Sequence, residues 1–288
     1  MPSSAHSRSI DLHTHSSVSD GTETPTQLIR SALAAGLDTV ALTDHDSTAG
    51  WEEARSAASG TGLMVIPGME LSTRVQFASV HVLGYLFDPA NAALIAETAR
   101  IRSGRLHRAE RIVQRLSADF ELTWDDVLAQ STEGATIGRP HIADALVARG
   151  HAPNRSAAFA SMLHWKSGYY EPHYAPSPLA GIRMITEAGG VAVLAHPGTG
   201  GQRAVVPEAE LRELIAAGLA GLEIGHRENT EAGKAVLRRY AETYDLIVTG
   251  SSDYHADGKP NRLGENTTAP DQLERILALA SGSEPFAG

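Results

Sequence analysis

The sequence predicts an α/β protein whose barrel-like body is built from both ends of the chain, with a helical insertion between them. Three observations carry that expectation. Short apolar runs alternate with longer helical patterns, the rhythm of βα units around a parallel sheet or barrel. Between about residues 91 and 174 the rhythm changes to helical patterns with no intervening strand run. Histidines and carboxylates recur at the ends of the strand runs, where α/β folds place their active-site loops. A chain of 288 residues suits one principal domain, since single α/β barrels commonly reach about 250 residues.

In chain order, the first strand is expected over Ser9 to Leu12. A helix follows, with Thr24 as N-cap, Pro25 at its start, a stripe of Leu28, Ile29, Ala32 and Leu33, and Gly36 as its stop. Strand Thr39 to Leu42, helix Ser47 to Ala58, and strands Leu63 to Ile66 and Val80 to Leu86 continue the series. Helices are then expected at Ala93 to Leu116, Trp124 to Gln130, His141 to Val147 and Ala157 to Leu163. Alternation resumes with helix Leu179 to Ala188, strand Val191 to Ala195, helix Glu208 to Ala217, strand Leu222 to Ile224, helix Glu231 to Thr243 and strand Leu246 to Thr249. Residues 1–90 and 175–288 are thus expected to form the body and 91–174 an inserted helical subdomain. The tail after Ser281 is rich in Gly and Pro and reads as frayed.

Composition narrows the chemistry. An apolar fraction of 42% and a charged fraction of 20% describe an ordinary globular protein. The longest apolar stretch, Leu214 to Leu222, is far short of the ~18 to 20 residues that span a bilayer. Met1 to Ser9 is polar where a signal peptide has its apolar core, so a cytoplasmic protein is expected. With no cysteine, any metal must be held by nitrogen and oxygen. A net charge of −10 gives no broad basic footprint, so duplex nucleic acid is not an expected partner, although one end of a strand can still be gripped by a local cationic pocket.

The candidate ligands follow from position. His13 and His15 stand two apart directly after the first strand, so in extended chain they share a face. Asp20 lies in the next polar loop, and Thr43-Asp44-His45-Asp46 ends the second strand. Glu70 closes the Val65 to Met69 run, His81 opens the following strand, His196 closes Val191 to Ala195, and Asp253-Tyr254-His255 follows Ile247 to Thr249. Taken singly, Asp20, Asp44 and Asp46 read equally well as caps, His81 as a core histidine and Asp253 as a turn former. Capping does not explain histidines recurring beside strand ends. A multinuclear centre drawing ligands from several βα loops does.

The ordered set His13-x-His15, Asp20, Thr-Asp-His45, Glu70, His81, His196-Pro and Asp253-x-His255 resembles the PHP (polymerase and histidinol phosphatase) superfamily, most closely its stand-alone phosphoesterases with a helical insertion. The strings Asp-Leu-His-Thr-His-Ser, Ser-Asp-Gly and Leu-Thr-Asp-His-Asp are specific, and the later motifs extend the likeness over nearly the whole chain. The resemblance implies a distorted (β/α)7 TIM-like barrel with two to three divalent ions at the C-terminal ends of its strands. It implies that His13, His15, Glu70 and Asp253 hold one ion, that Glu70 bridges to a second held with His81 and His196, and that Asp20, His45 and His255 hold a third. Mixed imidazole and carboxylate ligation suits manganese, iron or zinc better than magnesium alone.

Clustered divalent ions generate hydroxide from a shared water and clamp phosphoryl oxygens. The expected activity is therefore hydrolysis of a phosphate ester by a metal-bridging hydroxide. The resemblance suggests the 3′-phosphate of nucleoside 3′,5′-bisphosphates, 5′-3′ trimming of RNA, or both; the partner is then a small nucleotide or short oligonucleotide. Arg139, in Ile-Gly-Arg-Pro-His, and Lys166, in Trp-Lys-Ser-Gly, resemble the family's phosphate-binding segments, and guanidinium matches phosphate geometry. Asp253, and His226 after the strand Leu222 to Ile224, are the candidate catalytic residues, His226 touching substrate or protonating the leaving oxygen. Two rivals remain open: a histidinol-phosphate-type phosphatase, and a non-catalytic metal-binding module that supports a partner.

Overall fold

The computed structural model describes residues 9–76, 78–199 and 206–288; the polar N-terminal segment read above lies almost wholly outside them. Seven strands form one sheet in sequence order: β1 (Ile10–Asp11), β2 (Thr39–Leu42), β3 (Met64–Val75), β4 (Ala78–Tyr85), β5 (Val191–Leu194), β6 (Leu219–Gly225) and β7 (Ile247–Gly250). The pairs β1·β2, β2·β3, β5·β6 and β6·β7 are parallel. β4 runs against both neighbours; against β3 it must, because the connection from Val75 to Ala78 is too short for anything but a hairpin. The edges meet where Thr14 bridges Tyr254 and the His15 N–H donates to the Tyr254 carbonyl at 2.9 Å. The result is the nearly closed α/β barrel that the sequence predicts.

Helices wrap the sheet as α1 (Pro25–Ala34), α2 (Trp51–Ala58), α7 (Pro178–Glu187), α8 (Glu208–Ala216), α9 (Glu231–Tyr244) and α10 (Pro270–Leu279). Alternate strand residues divide the apolar core. Ile10, Leu12, Ala41, Ile66, Leu83, Tyr85 and Val193 belong to one cluster, while Val40, Leu42, Val65, Val82, Leu194 and Leu222 join the helices in another. The predicted Thr24 cap is a full capping box with Gln27, which satisfies two otherwise orphaned donors.

Between β4 and α7 run α3 (Ala92–Leu116), α4 (Trp124–Leu128), α5 (Arg139–Ala148) and α6 (Arg155–Ala160). Ala109, Ile112, Leu116, Val127, Ile142, Leu146, Ala158 and Leu163 enclose an apolar cluster of their own. The first half of α3 faces the barrel instead, with Leu94 and Ile101 in the barrel's helix-facing core.

Three expectations change. β3 runs on through Pro67-Gly68 to Val75, where the sequence suggested an end at Ile66. Gly68 is what permits it, since a Cβ there would stand 2.9 Å from Thr43 Cγ2 and 3.1 Å from the Gly84 carbonyl oxygen. Glu70 consequently sits inside a strand, opposite Leu83. α10 has no counterpart among the predicted elements. The tail is not frayed: Phe286 is 7% exposed, and its backbone exchanges hydrogen bonds of 2.8 and 3.0 Å with Val65.

Candidate metal centre

The strands and the loops that follow them bring together the nitrogens and carboxylates picked out as ligands. His13 and His15 stand after β1, Asp20 in the loop beyond, and His45 after β2. Glu70 and His81 come from β3 and β4, His196 follows β5, and Asp253 and His255 follow β7. Ligand atoms of His13, His15, Glu70 and Asp253 lie within 4.8 Å of one another, as do those of His15, Asp20 and His255, and those of His45, Glu70 and His81.

Glu70 divides the cluster. Its Oε1 faces His81 Nδ1 at 2.6 Å and His196 Nε2 at 3.2 Å, while Oε2 faces His15 Nε2 at 3.1 Å, His45 Nδ1 at 3.2 Å and His13 Nε2 at 3.3 Å. Asp20 divides similarly, with Oδ1 at 3.1 Å from His255 Nε2 and Oδ2 at 3.7 Å from His45 Nε2. Asp253 turns Oδ1 toward His15 at 3.3 Å and His13 at 3.5 Å, and Oδ2 toward Lys259 Nζ at 2.6 Å and His226 Nε2 at 3.5 Å. Burial by itself would raise the Glu70, Asp20 and Asp253 carboxyls, but the surrounding imidazoles, and Lys259 beside Asp253, hold all three well below the usual carboxylate range.

These residues fit a cluster of cations. Nε2 of His13 and Nε2 of His15 confront each other at 3.0 Å. His45 Nδ1 and His255 Nε2 are buried without an aligned hydrogen-bond partner, although carboxylate oxygens stand near both. Lone pairs that converge on shared space rather than on donors are what an ion explains and a hydrogen-bond network does not. His196 (φ 31°) and Asp253 (φ 55°) adopt left-handed backbone, a conformation that non-glycine residues hold chiefly where the surroundings enforce it.

Supporting residues were only partly legible in the sequence. Asp44 accepts from the Ser16 N–H at 2.8 Å and from the Ser16 and Ser19 hydroxyls at 2.6 and 2.7 Å, tying the His15 to Asp20 loop to β2. Asp46 accepts from the Ser72 N–H and hydroxyl, both at 2.7 Å, and pairs with Arg105 Nε at 2.9 Å. Glu223, on β6 and fully buried, faces His13 Nδ1 at 3.0 Å and accepts from the His196 N–H at 2.8 Å. The alternating pattern of β6 marked Glu223 as an intrusion in an apolar strand; that was the missed signal. His226 is wholly buried, and its Nδ1 accepts from the Glu228 N–H at 3.1 Å, which leaves Nε2 facing Asp253 Oδ2 at 3.5 Å.

A second cluster, of cations, lies beside the first. Arg105 stands between the two, holding Asp46 and the Ser72 hydroxyl on one side, with its charge near that of Arg139 on the other. Arg139 lies 5.2 and 5.3 Å from the ring centroids of Phe159 and Tyr170 and donates to the Leu163 carbonyl. Arg74 donates to the Tyr170 hydroxyl at 3.1 Å, and Arg108 reaches His173 Nδ1 at 2.9 Å. Nε and one terminal nitrogen of Arg74, Nε of Arg108 and Nε2 of His173 are buried without hydrogen-bond partners among the described residues. Burial, with Arg105 and Arg139 nearby, presses Arg108 well below the usual guanidinium value. Guanidinium does not surrender its proton in proteins, so this concentration of buried positive charge suits an anion. Lys166 is exposed, with Nζ 4.6 Å from the Trp165 ring centroid, and no hydrogen bond or ion pair among the described residues joins its ammonium to either cluster.

The description "PHP domain" fits residues 11–146. The chain is 34% identical over 254 residues to a 3′,5′-nucleoside bisphosphate phosphatase of Chromobacterium violaceum, covering 88% of this chain and 89% of that protein. It is 33% identical over 272 residues to a 5′-3′ exoribonuclease of Haemophilus influenzae, covering 92% and 97%. A crystal structure of a candidate metal-dependent phosphoesterase from Bifidobacterium adolescentis superposes with a TM-score of 0.92 at 46% identity, over 95% of this chain and 97% of that one. Likeness over nearly the full length, together with buried imidazole and carboxylate clusters suited to a multinuclear metal site, establishes that the chain belongs to the PHP domain family and is a metal-dependent phosphoesterase.

Proposed function

We propose that the protein hydrolyses a phosphate ester of a nucleotide or short oligonucleotide, removing the 3′-phosphate of a nucleoside 3′,5′-bisphosphate, trimming RNA from its 5′ end, or both. The observation that carries this reading is the arginine cluster beside the candidate metal centre. One phosphate is the reacting group; a second anionic group is what Arg74, Arg105, Arg108 and Arg139 are arranged to receive. A substrate with two phosphates, or a polynucleotide end, meets both requirements. The names of the relatives from C. violaceum and H. influenzae agree with that class.

In this reading His13, His15, Glu70 and Asp253 hold one ion, Glu70, His81 and His196 a second, and Asp20, His45 and His255 a third. Manganese, iron and zinc suit the donor set. Bound there, the ions supply Lewis acidity toward water and phosphoryl oxygens. Glu70 presents one oxygen to each of two ligand groups. Arg139 binds the non-reacting phosphate, and Lys166 joins it once substrate is bound. Asp253 and His226 act as a pair, in which His226 Nε2, 3.5 Å from Asp253 Oδ2, orients that carboxylate at the centre, and solvent supplies the proton that the leaving oxygen requires. Residues 91–174 act as an inserted subdomain that brings the arginines to the centre.

The test is a comparison of adenosine 3′,5′-bisphosphate with adenosine 3′-monophosphate. The second phosphate should raise kcat/KM by about 10- to 100-fold, the equivalent of ~1.5 to 3 kcal/mol from charge-assisted hydrogen bonds, and Arg139→Ala should abolish most of the difference. Equal turnover of the two compounds by the wild-type enzyme would remove the basis for the reading.

A further inference from the structure

We propose that Glu223 is a positioning residue that serves two ions of the centre at once, by fixing the tautomer of His13 and the backbone of His196. The inference rests on the ligand assignment above. Glu223 lies on β6, is fully buried and touches no candidate substrate group. Burying a carboxylate costs several kcal/mol unless its oxygens find partners, and here each oxygen has one. Oε1 stands 3.0 Å from His13 Nδ1. A carboxylate only accepts, so Nδ1 carries a proton, and with an ion bound the Nε2 lone pair would be the donor, on the side where Glu70 stands at 3.3 Å and Asp253 at 3.5 Å.

Oε2 accepts the His196 N–H at 2.8 Å. His196 holds φ at 31°, which orients its ring so that Nε2 meets Glu70 Oε1 at 3.2 Å. The same turn is clamped a second time from β6: Asn229 donates to the Glu223 and Ile224 carbonyls at 2.9 and 3.0 Å and accepts the Gly198 N–H at 2.8 Å. β6 supplies no ligand of its own, yet it aligns the ligands that β1 and β5 present. Among the described residues Glu223 makes no hydrogen bond or ion pair to Asp20, His45 or His255. Its influence is therefore selective: the ions assigned to His13 and His196 depend on it, and the ion assigned to Asp20, His45 and His255 does not.

The experiment uses the full chain, stripped with chelator and titrated with Mn²⁺, as wild type, Glu223→Gln and His13→Ala. Bound manganese and its affinities are measured together with the melting temperature of the metal-free protein. In Glu223→Gln two affinities should fall by about 10- to 100-fold, as outer-sphere partners of metal-bound histidines do. The third should stay at its wild-type value, metal-free melting should be unchanged, and turnover should be rescued by excess Mn²⁺. If Glu223→Gln does not fold, Glu223→Asp, which keeps the charge and withdraws it by one methylene, carries the same expectation. Wild-type affinities at every site, or a uniform loss that follows a drop in metal-free melting temperature, overturn the proposal. Wild-type manganese content in His13→Ala would instead sink the ligand assignment beneath it, and that failure is seen without reference to Glu223.

Discussion

The centre concentrates acceptors. Each of its carboxylates is surrounded by imidazoles, and each imidazole by carboxylates, at separations where hydrogen-bond geometry is often poor. Removing one member should therefore cost function more than folding. Asp20→Ala or His255→Ala should reduce turnover strongly while the circular dichroism spectrum and melting temperature of the metal-free protein stay as in wild type; wild-type kinetics at limiting metal would contradict their roles. Arg108 makes the complementary case. Its charge is buried beside other guanidinium groups, so Arg108→Met should leave the metal-free protein as stable or slightly more stable in urea, while KM for a bisphosphate rises by about tenfold, the loss of ~1.4 kcal/mol. The clustered imidazoles and carboxylates were legible in the sequence because ligand chemistry admits few residue types and βα loops place them at regular intervals. Arg74, Arg105, Arg108 and His173 were not, because a charged residue on an amphipathic helix or strand end looks the same in sequence whether it faces water or a buried anion site.

At the level of elements, strands and helices with clean periodicity were read close to their observed limits, among them β2, β5, α1 and α3. The failures have local causes. Pro67-Gly68 resembles a breaker, yet Pro67 pairs with Leu42 in the ladder and Gly68 admits a close approach to Thr43 and Gly84. The C-terminal segment contains Gly and Pro, yet Phe286 lies beside the Trp51 ring, centroids 6.3 Å apart, and is joined to β3. Its anchoring depends on tertiary contacts that no local pattern encodes. Phe286→Ala should cost about 3 to 5 kcal/mol of unfolding free energy in urea, with manganese content unchanged; a loss below about 1 kcal/mol would mean that the tail contributes little. Thr24→Ala, which breaks the α1 capping box, should cost about 1 kcal/mol.

Across the whole molecule, the barrel gathers ligands from both halves of the chain, so the centre forms only when β1 and β7 meet. Metal should therefore stabilise the folded chain by mass action, and chelation should lower the melting temperature. No helix among the described residues is long and apolar enough to cross a membrane. The α3 to α6 region supplies Arg105, Arg108 and Arg139, so the proposed function places substrate choice in the insertion and the chemistry in the barrel. The measurement that bears most directly on the account is phosphate release and chain shortening by manganese-reconstituted enzyme, with and without chelator. Adenosine 3′,5′-bisphosphate, a 5′-phosphorylated RNA oligomer and histidinol phosphate are compared side by side. Chelator-sensitive turnover of one or both nucleotide substrates, well above histidinol phosphate, is the predicted result; preference for histidinol phosphate, or turnover indifferent to chelator, would contradict it.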